Sequence, residues 1–150
     1  MSTPDGDGVP APGGTSGNQL VPLDDGECRE LLGTASVGRL AVTTTHGPEI
    51  FPVNFVAVDD AVVFATDPGV KLAHSSFDHV ALEVDSLDPV TRTGWVVVAK
   101  GRAQDITDTL DPWSTRLLDV DIDSWVHAPH THRVAIIRPT LTGRRLVVSA

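Results

Sequence analysis

The segment FATDPGVKLAHSS, residues 64–76, has the residue types of an anion-binding helix start. Proline is favoured at the first position of a helix, so Pro68 predicts that a helix begins here. The first backbone N–H groups of a helix lack acceptors within it, and together with the helix dipole they bind phosphate groups. Thr66 can add a hydroxyl, and Lys71, one of two lysines in the chain, can add a countercharge. These residues predict a phosphate site.

A second interpretation of this segment stays open. Asp67 can cap the helix with its own carboxylate and so occupy the amides that an anion would need. Lys71 would then be a solvated surface residue without a ligand. Short motifs are weak indicators by themselves, so the local sequence alone favours the simple helix cap.

The predicted strand EIFPVNFVAV carries a second set of candidate ligand contacts. A proline removes a donor from the hydrogen-bond ladder, so Pro52 predicts a sheet edge, a bulge or a neighbour that is not a strand. Side chains alternate between two faces, with Phe51, Val53 and Phe55 on one and Ile50, Pro52 and Asn54 on the other. Asn54 therefore places an amide on an otherwise apolar face, although by itself this pattern is explained better by an edge strand with one polar outer residue.

Three histidines, His127, His130 and His132, lie within six residues and are potential metal ligands. A surface loop explains them more simply, because no cysteine lies nearby, and we predict no metal site. The chain also lacks the motifs GxSxG, HExxH, CxxC, GxGxxG and GxxxxGK[ST]. Nothing in the sequence therefore supports hydrolase chemistry.

The composition excludes several classes of partner. The formal net charge is −9, with 11 basic and 20 acidic residues, and the basic residues form no cluster that would bind nucleic acid. No apolar run approaches the roughly 20 residues of a membrane span. The single cysteine, Cys28, and an N-terminus without a signal-peptide pattern predict a cytoplasmic protein.

The chain divides into a tail and one domain. Residues 1–22 are rich in Gly and Pro and contain no Lys or Arg, so we predict a disordered tail. Residues 23–150 form the predicted folded domain. It opens with a short helix in LDDGECRELLG, for which Asp24 is the expected N-cap and Gly33 the expected end.

Six β-rich runs follow the helix and predict a mainly β fold. They are VGRLAVTTT, EIFPVNFVAV, AVVFAT, HVALEVDSL, TRTGWVVVAKGRAQDI and HRVAIIRP, and TGRRLVV extends or follows the last. A six-stranded antiparallel β-barrel with short helices accounts for them, with a β-sandwich as the alternative. The fifth run is apolar on both faces from Trp95 to Ala99, which predicts a barrel interior on one side and a partner chain on the other. Trp95 itself is most simply a core or interface anchor.

The order of several pieces resembles a known family. LLGTASVGRLAV, PEIFPVNFVAV, VVFATDPGVKLA, VALEVDSLDPVTRTGWVVVAKGRA and IIRPTLTGRRL follow one another over about residues 24–148. This pattern is similar to the flavin-binding split β-barrel family, which includes pyridoxamine 5′-phosphate oxidases and deazaflavin-dependent reductases. The short actinobacterial pyridoxamine-oxidase-like proteins are the most similar subgroup.

The resemblance implies a homodimer with FMN bound at its interface. By this resemblance, the cofactor contacts are Pro52, Val53, Asn54 and Phe55 beside the isoalloxazine ring, Thr66 and Lys71 at the phosphate, and Trp95 near the interface and the flavin. The implied function is that of an FMN-dependent oxidoreductase acting on an unknown small molecule, because the flavin itself carries the electron chemistry.

The departures from the family pattern leave alternatives. The sequence stops at Ala150 without the Arg-rich tail of authentic pyridoxamine-phosphate oxidases, so we do not expect that substrate. Other relatives bind deazaflavin or haem, and a haem would take one of His127, His130 or His132 as its axial ligand. A non-catalytic flavin- or haem-binding sensor and a structural dimeric barrel are the remaining hypotheses.

Overall fold

The structure, a computed structural model, describes residues 17–66, 79–125 and 132–149. Their elements are β1 (Gln19–Leu23), α1 (Asp25–Leu32), β2 (Val37–Thr44), β3 (Gly47–Val58), β4 (Ala61–Thr66), β5 (His79–Asp88), β6 (Thr93–Asp105), α2 (Pro112–Leu118), β7 (His132–Ile137) and β8 (Thr140–Val147). The predicted mainly β fold class is confirmed. Among the helices in these ranges, none has the length and apolar character needed to cross a membrane.

Six antiparallel strands close into a ring. Hydrogen-bonded neighbours follow the order β6, β5, β2, β3, β4 and β7, and β7 pairs again with β6 through Ala103–Asp105. These six strands, β2 to β7, are the six β-rich runs of the sequence. The six-stranded split barrel is therefore confirmed as the central architecture.

Two further strands lie outside the ring and raise the number of strands in the described part of the chain to eight. β8 pairs with β6 from Gly94 to Lys100, and β1 pairs with β8. Residues 19–22 therefore belong to a strand, although the sequence assigned them to the disordered tail. The run Gln19–Leu23 contains a proline, which an edge strand tolerates. Its pairing partner is more than 100 residues away, so no local pattern marks it as a strand.

The barrel splits where β7 passes into β8. Ile136 lies opposite Ala103, and Thr140 lies opposite Lys100. The chain therefore advances four residues from β7 to β8 where β6 advances three. The extra residue makes a bulge, which bends a strand pair and increases its twist. Arg138 adopts a φ of 50° in this bulge and donates its backbone N–H to the Asp60 carbonyl at 2.7 Å.

Helix α1 closes against the barrel as its sequence predicts. The Asp24 side chain accepts the backbone N–H of Glu27 at 2.8 Å, and Gly33 follows the last turn. Cys28 and Leu32 are buried beneath the helix. Gly143 of β8 permits this contact, because a Cβ atom there would lie 2.8 Å from the Cys28 Sγ.

The core has two parts. The larger fills the barrel and contains Leu40, Val53, Phe55, Val62, Phe64, Leu82, Val84, Val97, Ala99, Val134 and Ile136, among others. The smaller lies outside β4 and β7, under α2, and contains Ala61, Val63, Ile106, Leu117 and Ala135. Strands β4 and β7 are therefore covered on both faces, and they provide a rigid support for the residues at their ends.

Candidate functional site

Strand β3 changes partners halfway along its length. Residues 47–54 pair with β2 on one side, whereas residues 55–58 pair with β4 on the other. The β4 edge of β3 is therefore open from Pro52 to Asn54 within the described residues. This edge lies where β3 and β4 separate from each other.

The backbone of this open edge points toward the gap. Phe55 donates its N–H to the Ser36 carbonyl, on the β2 side, at 3.1 Å. Backbone groups of successive residues in a strand point in opposite directions, so Pro52 and Asn54 face away from β2. The prediction that Pro52 occupies a sheet edge is confirmed. The missing proline N–H costs no ladder hydrogen bond here, and the backbone carbonyl of Pro52 and the N–H of Asn54 face the gap.

The side chains of β3 take the two faces predicted from the sequence. Val53 and Phe55 belong to the barrel core, with exposed fractions of 7% and 1%, whereas Pro52 is exposed and Asn54 is half-buried. Of the four predicted ring contacts, Pro52 and Asn54 therefore present polar backbone groups to the gap. The side chains of Val53 and Phe55 pack into the barrel core and hold the strand in place.

Asn54 also fixes a segment that the sequence did not connect with this strand. Its Oδ1 accepts the backbone N–H of Trp125 at 3.0 Å. The Trp125 side chain is 71% exposed beside the open edge. Sequence reasoning missed Trp125 as a site residue, since the only available signal was an aromatic residue in a polar loop.

Thr66 occupies the end of β4 and is 5% exposed. It lies two residues beyond the last β3–β4 pair, Phe55 with Phe64, and opposite His132 of β7. Thr66 therefore lies, like Asn54, at the point where β3 and β4 separate from each other. Lys71 lies outside the described residues, so its role at a phosphate stays a prediction.

His132 is held in one orientation by an acidic partner. Its Nδ1 lies 2.6 Å from Oδ2 of Asp105 on β6. The other oxygen of Asp105 accepts the Thr107 backbone N–H at 2.9 Å and the Thr107 hydroxyl at 2.5 Å. Partial burial alone would raise the pKa of Asp105, but the hydrogen bonds from Thr107 and His132 outweigh it, so this pKa lies below its usual value.

His127 and His130 lie outside the described residues. Within the parts of the chain that the structure covers, no three His, Cys, Asp or Glu side chains are grouped as a metal site would require. His132 uses Nδ1 for Asp105, so Nε2 is the nitrogen that it can offer to another partner. Its role as a haem ligand stays a prediction.

A sequence profile of the pyridoxamine 5′-phosphate oxidase family matches residues 24–145, which is most of the chain and nearly all of the barrel. The chain belongs to this family. The resemblance drawn from the order of the sequence pieces is therefore confirmed.

Several known proteins are similar to this chain over nearly their whole length. The uncharacterized protein Rv0080 of Mycobacterium tuberculosis is 36% identical over 141 residues, which are 90% of this chain and 91% of the relative. The structure of a candidate pyridoxamine 5′-phosphate oxidase from Corynebacterium glutamicum is 25% identical, with a TM-score of 0.72 over 87% of this chain and 100% of that one. An FAD-binding protein from Mycobacterium smegmatis is 30% identical, with a TM-score of 0.67 over 84% of this chain and 97% of its own.

Trp95, the last of the predicted cofactor contacts, lies in another part of the barrel. It packs against the larger core near the start of β6. Asp105 ends the same strand ten residues later, which corresponds to roughly 33 Å at about 3.3 Å per residue. Within one chain, Trp95 is therefore far from the Thr66 and His132 end of the barrel. Its contact with a flavin and its place at a dimer interface stay predictions.

The outer face of β6 carries the side chains that were predicted to meet a partner. Val97 and Ala99 are fully buried inside the barrel, whereas Val96 and Val98 on the outer face are half-buried. A partner chain on this face stays a prediction.

A charged cluster lies next to the outer face of β6. The Arg39 guanidinium lies 3.2 Å from a Glu83 carboxylate oxygen and 3.0 Å from one of Asp85. Burial, and then the adjacent Asp85, raise the pKa of Glu83 in spite of Arg39. The outer face therefore combines half-buried apolar groups with two carboxylates that share one arginine.

Proposed function

We propose that the protein binds a phosphate-bearing flavin, FMN, and uses it as an oxidoreductase on a small molecule. The observation that carries this proposal is the open edge of β3 at Pro52 and Asn54, next to the end of β4 at Thr66. Membership of the pyridoxamine 5′-phosphate oxidase family supports it. The FAD-binding relative from Mycobacterium smegmatis supports a flavin as the ligand.

The open edge fits the polar rim of an isoalloxazine ring. A flavin ring presents alternating N–H and C=O groups along its pyrimidine side, and a strand edge presents the same groups in the complementary order. The backbone N–H of Asn54 and the carbonyl of Pro52 are the groups available here. The ring would be oriented by backbone atoms, which a change of side chain cannot easily move.

The phosphate has to be held by local donors. The net charge of −9 repels an anion at long range, so a few donors close to the phosphate must outweigh that field. The Thr66 hydroxyl is one such donor at the end of β4, and Lys71 is the predicted countercharge. When bound, the flavin supplies the hydride or electron transfer, while this chain binds it, orients it and limits its exposure to water.

The same proposal includes a homodimer formed through the outer face of β6. Val96 and Val98 lie there between the Glu83 and Asp85 side and the Arg144 side of the sheet. A twofold axis through the apolar strip would place the acidic side of one chain against the Arg144 side of the other. The opposite charges could then pair across the interface. A second copy would also bring its own Trp95 into the assembly.

The absorption spectrum of the purified protein tests the proposal. We expect a flavin spectrum, and release of the ligand followed by mass measurement should identify FMN. If the released ligand is FAD or a deazaflavin, a related cofactor takes the place of FMN at the same edge. A colourless protein that takes up none of these when they are added would overturn the proposal.

Two variants localise the phosphate. Thr66→Val removes the hydroxyl at almost constant shape and should weaken FMN binding by about tenfold, the value of one hydrogen bond to a charged group. Thr43→Val makes the same change at an exposed position of β2 and should leave affinity unchanged. Reduction of the bound flavin by a nicotinamide cofactor then separates an oxidoreductase from a carrier, since a carrier would stay oxidised.

A further inference from the structure

We propose that His132, oriented by Asp105, donates a hydrogen bond from Nε2 to the phosphate of the bound flavin beside Thr66. This inference rests on the proposed function, since it assigns another residue to the phosphate end of that site. His132 was considered from the sequence as a metal or haem ligand. Its position in the barrel indicates an anion contact instead.

The strand register brings His132 to the proposed phosphate contact. Thr66 and His132 are directly opposite each other on β4 and β7. Opposite residues in an antiparallel pair place their side chains on the same face, with Cβ atoms about 4.5–5.5 Å apart. A phosphate oxygen that accepts from the Thr66 hydroxyl is therefore within reach of the imidazole.

The preceding pairs in the same register show which face this is. Phe64 lies opposite Val134, and Val62 lies opposite Ile136, and all four are buried in the barrel. Thr66 and His132 thus form the polar pair that follows two apolar pairs on the inner face. The pair marks the point at which the dry interior of the barrel ends.

Asp105 sets the orientation of the ring. Its Oδ2 lies 2.6 Å from His132 Nδ1, and a carboxylate at that nitrogen favours a hydrogen on Nδ1. Nε2 is then the nitrogen directed at a ligand, and it carries a hydrogen only in the imidazolium. The His132 side chain is 41% exposed, so a ligand can reach it.

The charge of Asp105 does not prevent an anion from binding nearby. Its two oxygens accept from the Thr107 N–H, the Thr107 hydroxyl and His132. Among the residues that the structure describes, the groups that face His132 from the neighbouring elements are Asp105 on β6, Thr66 on β4 and Thr107 after β6. Thr66 and Thr107 are uncharged, so Asp105 and His132 together approach neutrality, with the outward donor on His132.

The neighbouring cation on β7 is already engaged elsewhere. The Arg133 guanidinium points to the opposite face of the strand, where it donates to the carbonyls of Leu117, at 3.2 Å, and Val120. Arg133 therefore holds the segment after α2 against the barrel. The imidazole of His132 is the cationic group that β7 can direct toward Thr66.

Binding of FMN and riboflavin to the full-length apoprotein at pH 6 and pH 8 tests the inference, because the two ligands differ only by the phosphate. For the wild type we expect FMN to bind more tightly than riboflavin. The phosphate gains its second charge with a pKa of about 6, so the contribution of His132 is measured as the difference between the wild type and His132→Gln at the same pH.

His132→Gln should reduce the ratio of FMN to riboflavin affinity at pH 6 by about tenfold, as one charge-assisted hydrogen bond predicts, and leave riboflavin affinity unchanged. His46→Gln, in the exposed turn between β2 and β3, is the matched control and should behave like the wild type. An unchanged ratio in His132→Gln at both pH values would overturn the inference. Failure of the wild type to bind either ligand would instead overturn the proposed function.

Asp105→Asn provides an independent variant if His132→Gln does not fold. It keeps the imidazole but removes the carboxylate that orients it, so the FMN to riboflavin affinity ratio at pH 6 should fall toward that of His132→Gln. A ratio identical to that of the wild type would contradict the role given to Asp105 and His132. Thermal unfolding of each variant without ligand checks that the barrel is intact.

Discussion

Asn54 and Trp125 are joined by a hydrogen bond of 3.0 Å between the side-chain oxygen of the first and the backbone N–H of the second. The bond connects strand β3 with a segment 71 residues later in the chain. It places an exposed indole beside the strand edge that we propose as the flavin site. Asn54 therefore has two roles, because its backbone faces the open edge while its side chain holds the neighbouring loop.

Asn54→Ala should release the Trp125 segment. We expect a loss of about 1 kcal/mol in the free energy of unfolding, the usual value of one hydrogen bond, together with a change in tryptophan emission. Urea unfolding followed by fluorescence measures both. Asn54→Asp keeps an acceptor of similar size and should retain most of the stability. Equal losses in the two variants would show that the hydrogen bond does not hold the segment.

Gly143→Ala should destabilise the protein by about 1–3 kcal/mol, as expected for overpacking in a close contact. The added Cβ would lie 2.8 Å from the Cys28 Sγ and 3.1 Å from the Val96 carbonyl oxygen. Gly26→Ala is the control, since its nearest neighbour is at 3.4 Å and alanine favours helix α1. Adding Cys28→Ala to Gly143→Ala should recover part of the loss, and additivity of the two changes would contradict the contact.

Glu83→Gln should stabilise the protein at pH 7. The folded-state pKa of Glu83 is raised above its usual value of 4.5, mainly by burial, so the ionised form costs free energy in the folded state. This cost is present above the folded-state pKa and disappears below the unfolded-state value. The gain should therefore vanish as the pH falls below 4.5. Glu49→Gln removes the same charge from an exposed position of β3. A gain that is equally large for Glu49→Gln would reflect net charge alone.

Val98→Glu should convert the proposed dimer into a monomer. Val98 is half-buried on the outer face and lies opposite Glu83, so the new carboxylate would face existing negative charge in a desolvated interface. Size-exclusion chromatography with light scattering measures the result. Leu110→Glu, at a position that is 94% exposed, should remain dimeric. A wild-type monomer would refute the dimer, and a dimeric Val98→Glu would move the interface to another face.

The six ring strands could be predicted because their information is local. Alternating apolar residues, the turn at His46 and Gly47 and the turn at Asp59 and Asp60 mark each strand within a few positions. Asp24 and Gly33 mark the ends of α1 in the same way. β1 could not be predicted, since its backbone is ordered by pairing with β8 across the length of the chain.

The candidate site was also predictable only where the information is local. Pro52 indicated an open sheet edge, because proline has no N–H to donate to a neighbouring strand. The order of the sequence pieces indicated the family. No local pattern indicates that Trp125 is hydrogen-bonded to Asn54, or that His132 lies opposite Thr66 and contacts Asp105. Those relations depend on strand register, which long-range packing selects.

The sequence by itself determined the barrel strands, the capped helix and the family, because periodicity, turn residues and caps act over a few positions. Only the tertiary structure decided which side chains share the end of the barrel. Ring closure through β6 and β7 brings residues 66, 105 and 132 together, and the bulge at Arg138 separates β7 from β8. A register shift of one residue would turn His132 to the opposite face, so its role exists only in the closed barrel.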